Sequence, residues 1–113
     1  MANTFVNKKV DLTSTDATTL YTVPSATTAV IKSILVSEDS GNADTITVTI
    51  TDTDDAVFSL FKTKAISANA TTELLSAPLV VAESEAIKVT AATANRLHVV
   101  LSALEIKPRA VTS

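Results

Sequence analysis

The sequence has no cysteine, no tryptophan, one histidine and one glycine. Without cysteine there is no disulfide staple and no thiolate metal site. One histidine excludes most zinc chemistry, which draws on several nitrogen or sulfur ligands. One glycine rules out a glycine-rich loop of the kind that cradles phosphate. Positive charge is also short: nine Lys and Arg stand against twelve Asp and Glu, leaving a net charge of −3. That balance argues against a nucleic-acid partner. No apolar run approaches the roughly 18 residues that cross a membrane. Met1 to Leu12, MANTFVNKKVDL, lacks the apolar centre and small-residue cleavage pattern of a signal peptide. These absences lead us to expect a protein made and folded in a reducing cytosol, with no cofactor, no metal and no membrane partner.

What is present is β-branched. Val, Ile and Thr make up more than a third of the 113 residues. They pack well on a pleated surface and lose rotamer freedom in a helix. The chain has the length of one domain and can bury roughly 65% of its unfolded surface. We therefore expect a single all-β domain over residues 1–113.

The strands follow from alternation and turn chemistry. Thr4 to Asp11 reads as an N-terminal arm or edge strand, with Lys8 and Lys9 blunting the edge. Thr18 to Val23 is a short strand closed by Pro24. Thr28 to Glu38 is the strongest strand, and Asp39-Ser40-Gly41-Asn42 turns the chain after it. Thr45 to Thr51 alternates without a fault: Ile46, Val48 and Ile50 point one way and four threonines the other. Ala56 to Ile66 returns, carrying Val57, Phe58, Leu60 and Phe61. Short pieces flank Pro78. Ala86 to Thr90 and Arg96 to Ile106 complete the set, and Lys107 onward reads as a tail. About eight strands at this spacing predict an antiparallel β-sandwich or jelly roll.

No catalytic constellation is legible. His98 has no orienting carboxylate or nucleophile near it in sequence, so it reads as a strand histidine. Asp52, Asp54 and Asp55 lack the glycine and distant glutamate of a calcium loop and read as a hairpin turn. Glu83 and Glu85 flank Ser84 in another turn. The row Thr45, Thr47, Thr49 and Thr51 reads as a wet sheet face, because a hydroxyl lattice needs several stacked rows. Asn69-Ala70-Thr71 matches a glycosylation sequon, which has no meaning without a secretory route.

Two strands stand out because both of their faces are apolar. In Val30 to Val36, Ile31 and Leu35 fall on one face, and Val30, Ile34 and Val36 on the other. In Leu97 to Ile106, Leu97, Val99, Leu101 and Ala103 oppose Val100, Leu104 and Ile106. A single sandwich buries one face of each sheet. The other face then needs a cover, and large apolar patches on soluble monomers are rare. The expected subunit interface is Val30, Ile34, Val36, Val100, Leu104 and Ile106, in a homo-oligomer. Phe5, Val6 and Val10 are costly to leave wet. The N-terminal arm is therefore expected to be mobile alone and to order on a neighbouring subunit or partner.

The order of segments has a precedent. Thr18-Thr19-Leu20-Tyr21-Thr22-Val23-Pro24 is followed by Ala29-Val30-Ile31-Lys32-Ser33-Ile34, then by the Asp44–Asp52 threonine strand, Ala86-Ile87-Lys88-Val89, and a final strand ending in Leu104-Glu105-Ile106. Over Thr18 to Ile106 this resembles small β-sandwich structural proteins of tailed bacteriophages, particularly those of marine bacteria and cyanobacteria. Those relatives usually carry more glycine, notably where this chain has Ser84-Glu85. The resemblance implies a virion component without catalysis: a capsid decoration (cement) protein, or a neck, collar or tail-fibre attachment protein. It implies assembly in the host cytoplasm and binding to the major capsid protein or other virion proteins. It also implies a trimer in preference to a dimer. A surface carbohydrate-binding module is the alternative of another class, though only Phe5, Tyr21, Phe58 and Phe61 are available to stack on sugars.

Overall fold

Strand-forming residues and well-placed turns make an all-β structure. The computed structural model describes residues 2–107, which form nine strands and no helix: β1 (Ala2–Asp11), β2 (Thr18–Thr22), β3 (Thr28–Glu38), β4 (Asp44–Thr51), β5 (Val57–Ile66), β6 (Thr71–Glu73), β7 (Leu79–Val81), β8 (Ala86–Ala91) and β9 (Leu97–Lys107). All pairings are antiparallel. The first sheet runs β1-β9-β3-β6, with β7 on the same edge of β3 further along; the second runs β2-β8-β4-β5. The chain passes between the two sheets strand by strand except at the β4–β5 hairpin and at β6 and β7, which share one strand position. That order is a jelly roll. Of the expected tail, only Lys107 lies within the described residues, at the end of β9.

The core lies between the sheets. Ile31, Ile34, Leu97 and Leu101 come from the first, and Ile46, Val48, Ile87 and Val89 from the second; all are fully buried. Each such side chain contributes roughly 1.5–3 kcal/mol over leaving it in water. Tyr21 and Glu105 place a polar pair within the core. The Tyr21 hydroxyl donates to Glu105 Oε2 at 2.6 Å, joining β2 to β9 inside the sandwich. Burial, with help from Glu105, pushes the Tyr21 phenol well above its usual range.

A bulge in β3 corrects the face assignment. Ile31 pairs with Ala103, but Ser33 pairs with Ser102, so Lys32 is an extra residue. The phase of the strand shifts there. Ala29 and Ile31 face the core before it; Ile34, Val36 and Glu38 face the core after it. Ile34 and Val36 are therefore interior residues and do not belong to the expected subunit interface. Strict alternation had put them on the face of Val30. Glu73 holds the bulge in place. Its carboxylate accepts from the Ile34 amide at 2.8 Å, from the Leu75 amide at 3.2 Å and from the Ser33 hydroxyl. These bonds outweigh burial and keep the Glu73 carboxyl below its usual range.

Other bulges act the same way. One in β2 buries the consecutive residues Leu20 and Tyr21. Two in β5 let Leu60 and Phe61, also consecutive, both lean on the core. Thr63 in that strand takes a left-handed φ of 48°, rare for a β-branched residue, and its amide donates to Thr47 Oγ1 at 3.0 Å. Ser84 also sits at a left-handed φ of 66°. That is the turn in which the resembling phage proteins carry glycine, and the backbone shows why glycine suits it.

The N-terminal segment is an edge strand and not a loose arm. Ten residues of β1 pair in register with β9. Leu12 is buried, its amide donates to Leu97 O at 3.0 Å, and its carbonyl accepts from the Asn95 amide at 2.8 Å. Val6 and Val10 turn inward against the core, while Phe5 stays 78% exposed. Only Phe5 of the three expected arm residues is thus free for a partner.

Candidate interaction surface

The outer face of the first sheet can be written as rows, because the register fixes which residues stand side by side. From one end of the sheet to the other the rows are Asn3–Ile106–Thr28, then Phe5–Leu104–Val30–Val80, then Asn7–Ser102–Ser33. Next come Lys9–Val100–Leu35–Glu73 and finally Asp11–His98–Ser37–Thr71. The second row is apolar across all four strands. Its ends are open to solvent, Phe5 by 78% and Val80 by 62%. Leu104 and Val30 between them are half-buried, as are Val100 and Ile106 nearby. Leu35 adds a further exposed apolar group. Val30, Val100, Leu104 and Ile106 therefore share one outer surface. Phe5, Leu35 and Val80 join them there. The alternation of β9 made three of these visible in sequence; the place of Val80 depends on pairing between strands some 50 residues apart.

At the polar end His98 gains partners that sequence reasoning missed. Its Nε2 lies 3.1 Å from Asp11 Oδ1 and its Nδ1 3.5 Å from Asp39 Oδ2. Ser37 stands opposite it on β3. This row has the residue types of an acyl-transfer triad but not the arrangement. Both ring nitrogens face carboxylates, and the Ser37 hydroxyl pairs with Thr71 Oγ1 at 3.2 Å. Neither nitrogen is directed at the Ser37 hydroxyl, as a base taking its proton would be. The protonated ring can donate to both aspartates; the neutral ring donates to one.

Several other acidic groups are engaged by backbone. Glu38 is buried and ties the β3–β4 turn to the β5–β6 loop. It accepts from the amides of Ser40 at 2.8 Å, Gly41 at 3.1 Å and Asn69 at 3.0 Å, and from the Ser40 hydroxyl. Burial pushes its carboxyl up, but these bonds outweigh that and hold it down to about 2. Asp52 Oδ1 caps its own turn, accepting from the Asp54 and Ala56 amides, both at 2.9 Å. Glu85 accepts from the Ala82 amide at 2.8 Å. Among the described residues no three His, Asp or Glu side chains converge as a metal-ligand set.

The aromatic residues form no platform for a sugar. Tyr21 is buried and Phe61 leans on the core. Phe5 and Phe58 are exposed but belong to different sheets. The outer face of the second sheet is mostly polar, with Thr45, Thr47 and Thr49 on β4 beside Lys88 and Thr90 on β8; at one end Val57, paired with Thr51, adds an exposed apolar group.

No protein-family model matches the sequence, and no curated protein does. Among solved structures the chain is similar to one from the capsid asymmetric unit of cyanophage Pam1. The two are 21% identical, the match covers 94% of this chain and 85% of that one, and the TM-score is 0.45.

Proposed function

We propose that this chain is a non-enzymatic structural protein of a bacteriophage virion, a decoration protein that coats and stabilises the capsid. The observation that carries the reading is the one-sided apolar surface. A jelly roll whose one outer face is mostly hydroxylic and whose other carries a row apolar across four strands is built to be covered there, and Glu38, Asp52 and Glu73 are engaged by backbone amides. The resemblance of the Thr18 to Ile106 segments to phage β-sandwich proteins supplies the setting. In that setting the partners are copies of the chain itself and the major capsid protein, and the location is the virion. A neck, collar or tail-fibre attachment protein would use the same surface logic at a different place on the particle.

The test is reconstitution. Purified chain is mixed with phage heads that lack it and co-sedimented, and the heads are then challenged by heat or low salt. Saturable binding with retention of packaged DNA at higher temperature is expected. Heads that neither bind the chain nor gain resistance would refute the decoration role.

A further inference from the structure

We infer that the outer face of the first sheet is covered by the same face of a second copy, across a two-fold axis running parallel to the strands between β9 and β3. The inference rests on the preceding functional reading only for its setting; the rows themselves carry it. Such an axis lays each row over its own reversed copy. Phe5 then meets Val80 of the other copy, and Leu104 meets Val30. The most protruding apolar group thus faces the smaller one at the far edge. In the Lys9–Val100–Leu35–Glu73 row the same operation sets Lys9 against Glu73 and Val100 against Leu35. Opposite charges are matched twice, once on each side of the axis. Among the described residues neither Lys9 nor Glu73 has an ion-pair partner within the chain.

The other in-plane axis, perpendicular to the strands, fails the same test. It would lay the Phe5–Leu104–Val30–Val80 row on the Lys9–Val100–Leu35–Glu73 row, with Phe5 over Lys9 and Val80 over Glu73. That lays two charged groups of each copy on apolar groups with no opposite charge facing them, which is costly. A flat face covering an identical face is isologous and closes at two copies. The geometry therefore gives a dimer where the family resemblance gave a trimer. The size is adequate. Three strands of about ten residues and the two short strands on their edge, about 4.8 Å apart, cover roughly 550 Å² before side-chain relief, below but comparable with the roughly 800 Å² per partner of a standard interface.

The experiment is light scattering of the full chain, wild type and three variants. Phe5→Glu and Val80→Lys change exposed side chains, so circular dichroism and the unfolding midpoint should stay close to wild type. Wild type should be a dimer. Each single variant should dissociate about 100-fold more readily. The double variant should recover at least about tenfold of that loss, because the introduced carboxylate of one copy meets the introduced ammonium of the other. Within one chain the two positions lie three strand spacings apart, too far to pair. A wild-type monomer at all concentrations would overturn the inference, as would a double variant no better than its parents. If the wild type is a monomer and both single variants lose binding to heads, the face docks on the shell: the dimer falls and the decoration role stands. If the wild type is a dimer that ignores heads, the dimer stands and the decoration role falls.

Discussion

Two rows taken across the two sheets are both built as strand and differ in polarity. Across the second sheet the register aligns Thr19, Lys88, Thr49 and Ser59. Across the first it aligns Phe5, Leu104, Val30 and Val80. Thr and Val have nearly the same shape and similar strand preference, so both rows fold equally well as sheet. Their relation to water is opposite. The Thr19–Lys88–Thr49–Ser59 row can be satisfied by solvent. The valine and leucine face loses free energy until something covers it. Strand propensity thus favours both sheets, and side-chain polarity decides which of the two rows calls for a cover.

The largest test of that contrast separates the outer face from the interior it was confused with. Ile34 lies on the core side of the β3 bulge, so Ile34→Ala should cost about 2–5 kcal/mol of folding stability. Urea unfolding should show the loss at every protein concentration. A loss confined to the oligomer would return Ile34 to the outer face and undo the bulge argument.

Next in size is a matched pair on the two outer faces. Val100→Asp should weaken self-association about 100-fold while leaving the β signature intact. Thr49→Asp, at a comparable place on the other sheet, should leave mass unchanged and stability within about 0.5 kcal/mol. Equal effects at both positions would erase the distinction between the faces.

Acid should act on the loops behind the first sheet. The Glu38 carboxyl is held down to about 2 from an ordinary value near 4.5, and Glu73 is shifted in the same direction. A carboxyl with a depressed folded-state pKa stabilises the fold above its unfolded value, and that stability is lost as protons bind the folded form. Thermal midpoints should therefore fall as pH drops from about 4.5 toward 2. Glu38→Gln should start lower at neutral pH and show a shallower fall. An unchanged slope in this variant would assign the acid sensitivity elsewhere.

The smallest effect tests whether the hydroxyl face is tuned at every position. Thr51 Oγ1 is buried and has no hydrogen-bond partner. Thr51→Val should be neutral or stabilising by up to about 1 kcal/mol, since an unsatisfied hydroxyl costs more than a methyl. A clear loss of stability would mean the hydroxyl is satisfied in solution.

The sequence was most legible where alternation runs unbroken. The threonine row of β4 and the two faces of β9 lie in the structure as their pattern demands, and the turns at Asp39–Asn42 and Asp52–Asp55 carry their expected residues. It was least legible at the bulges. One inserted residue at Lys32 exchanges the faces for the rest of β3, and no feature of TAVIKSILVSE marks it. Its stabiliser, Glu73, is some 40 residues away, and the pairing that brings Val80 beside Val30 spans some 50. The cluster at His98 was invisible for the same reason, since Asp11 and Asp39 reach it only through the sheet.

Composition and period alone determined an all-β chain of about eight strand positions, because β-branched side chains and two-residue alternation leave no other stable arrangement of this length. They also determined that more apolar surface exists than one sandwich can bury. Only the tertiary structure decided which residues those are. Strand register is set by contacts far apart in sequence, and a single bulge inverts inside and outside while leaving composition, period and strand length unchanged.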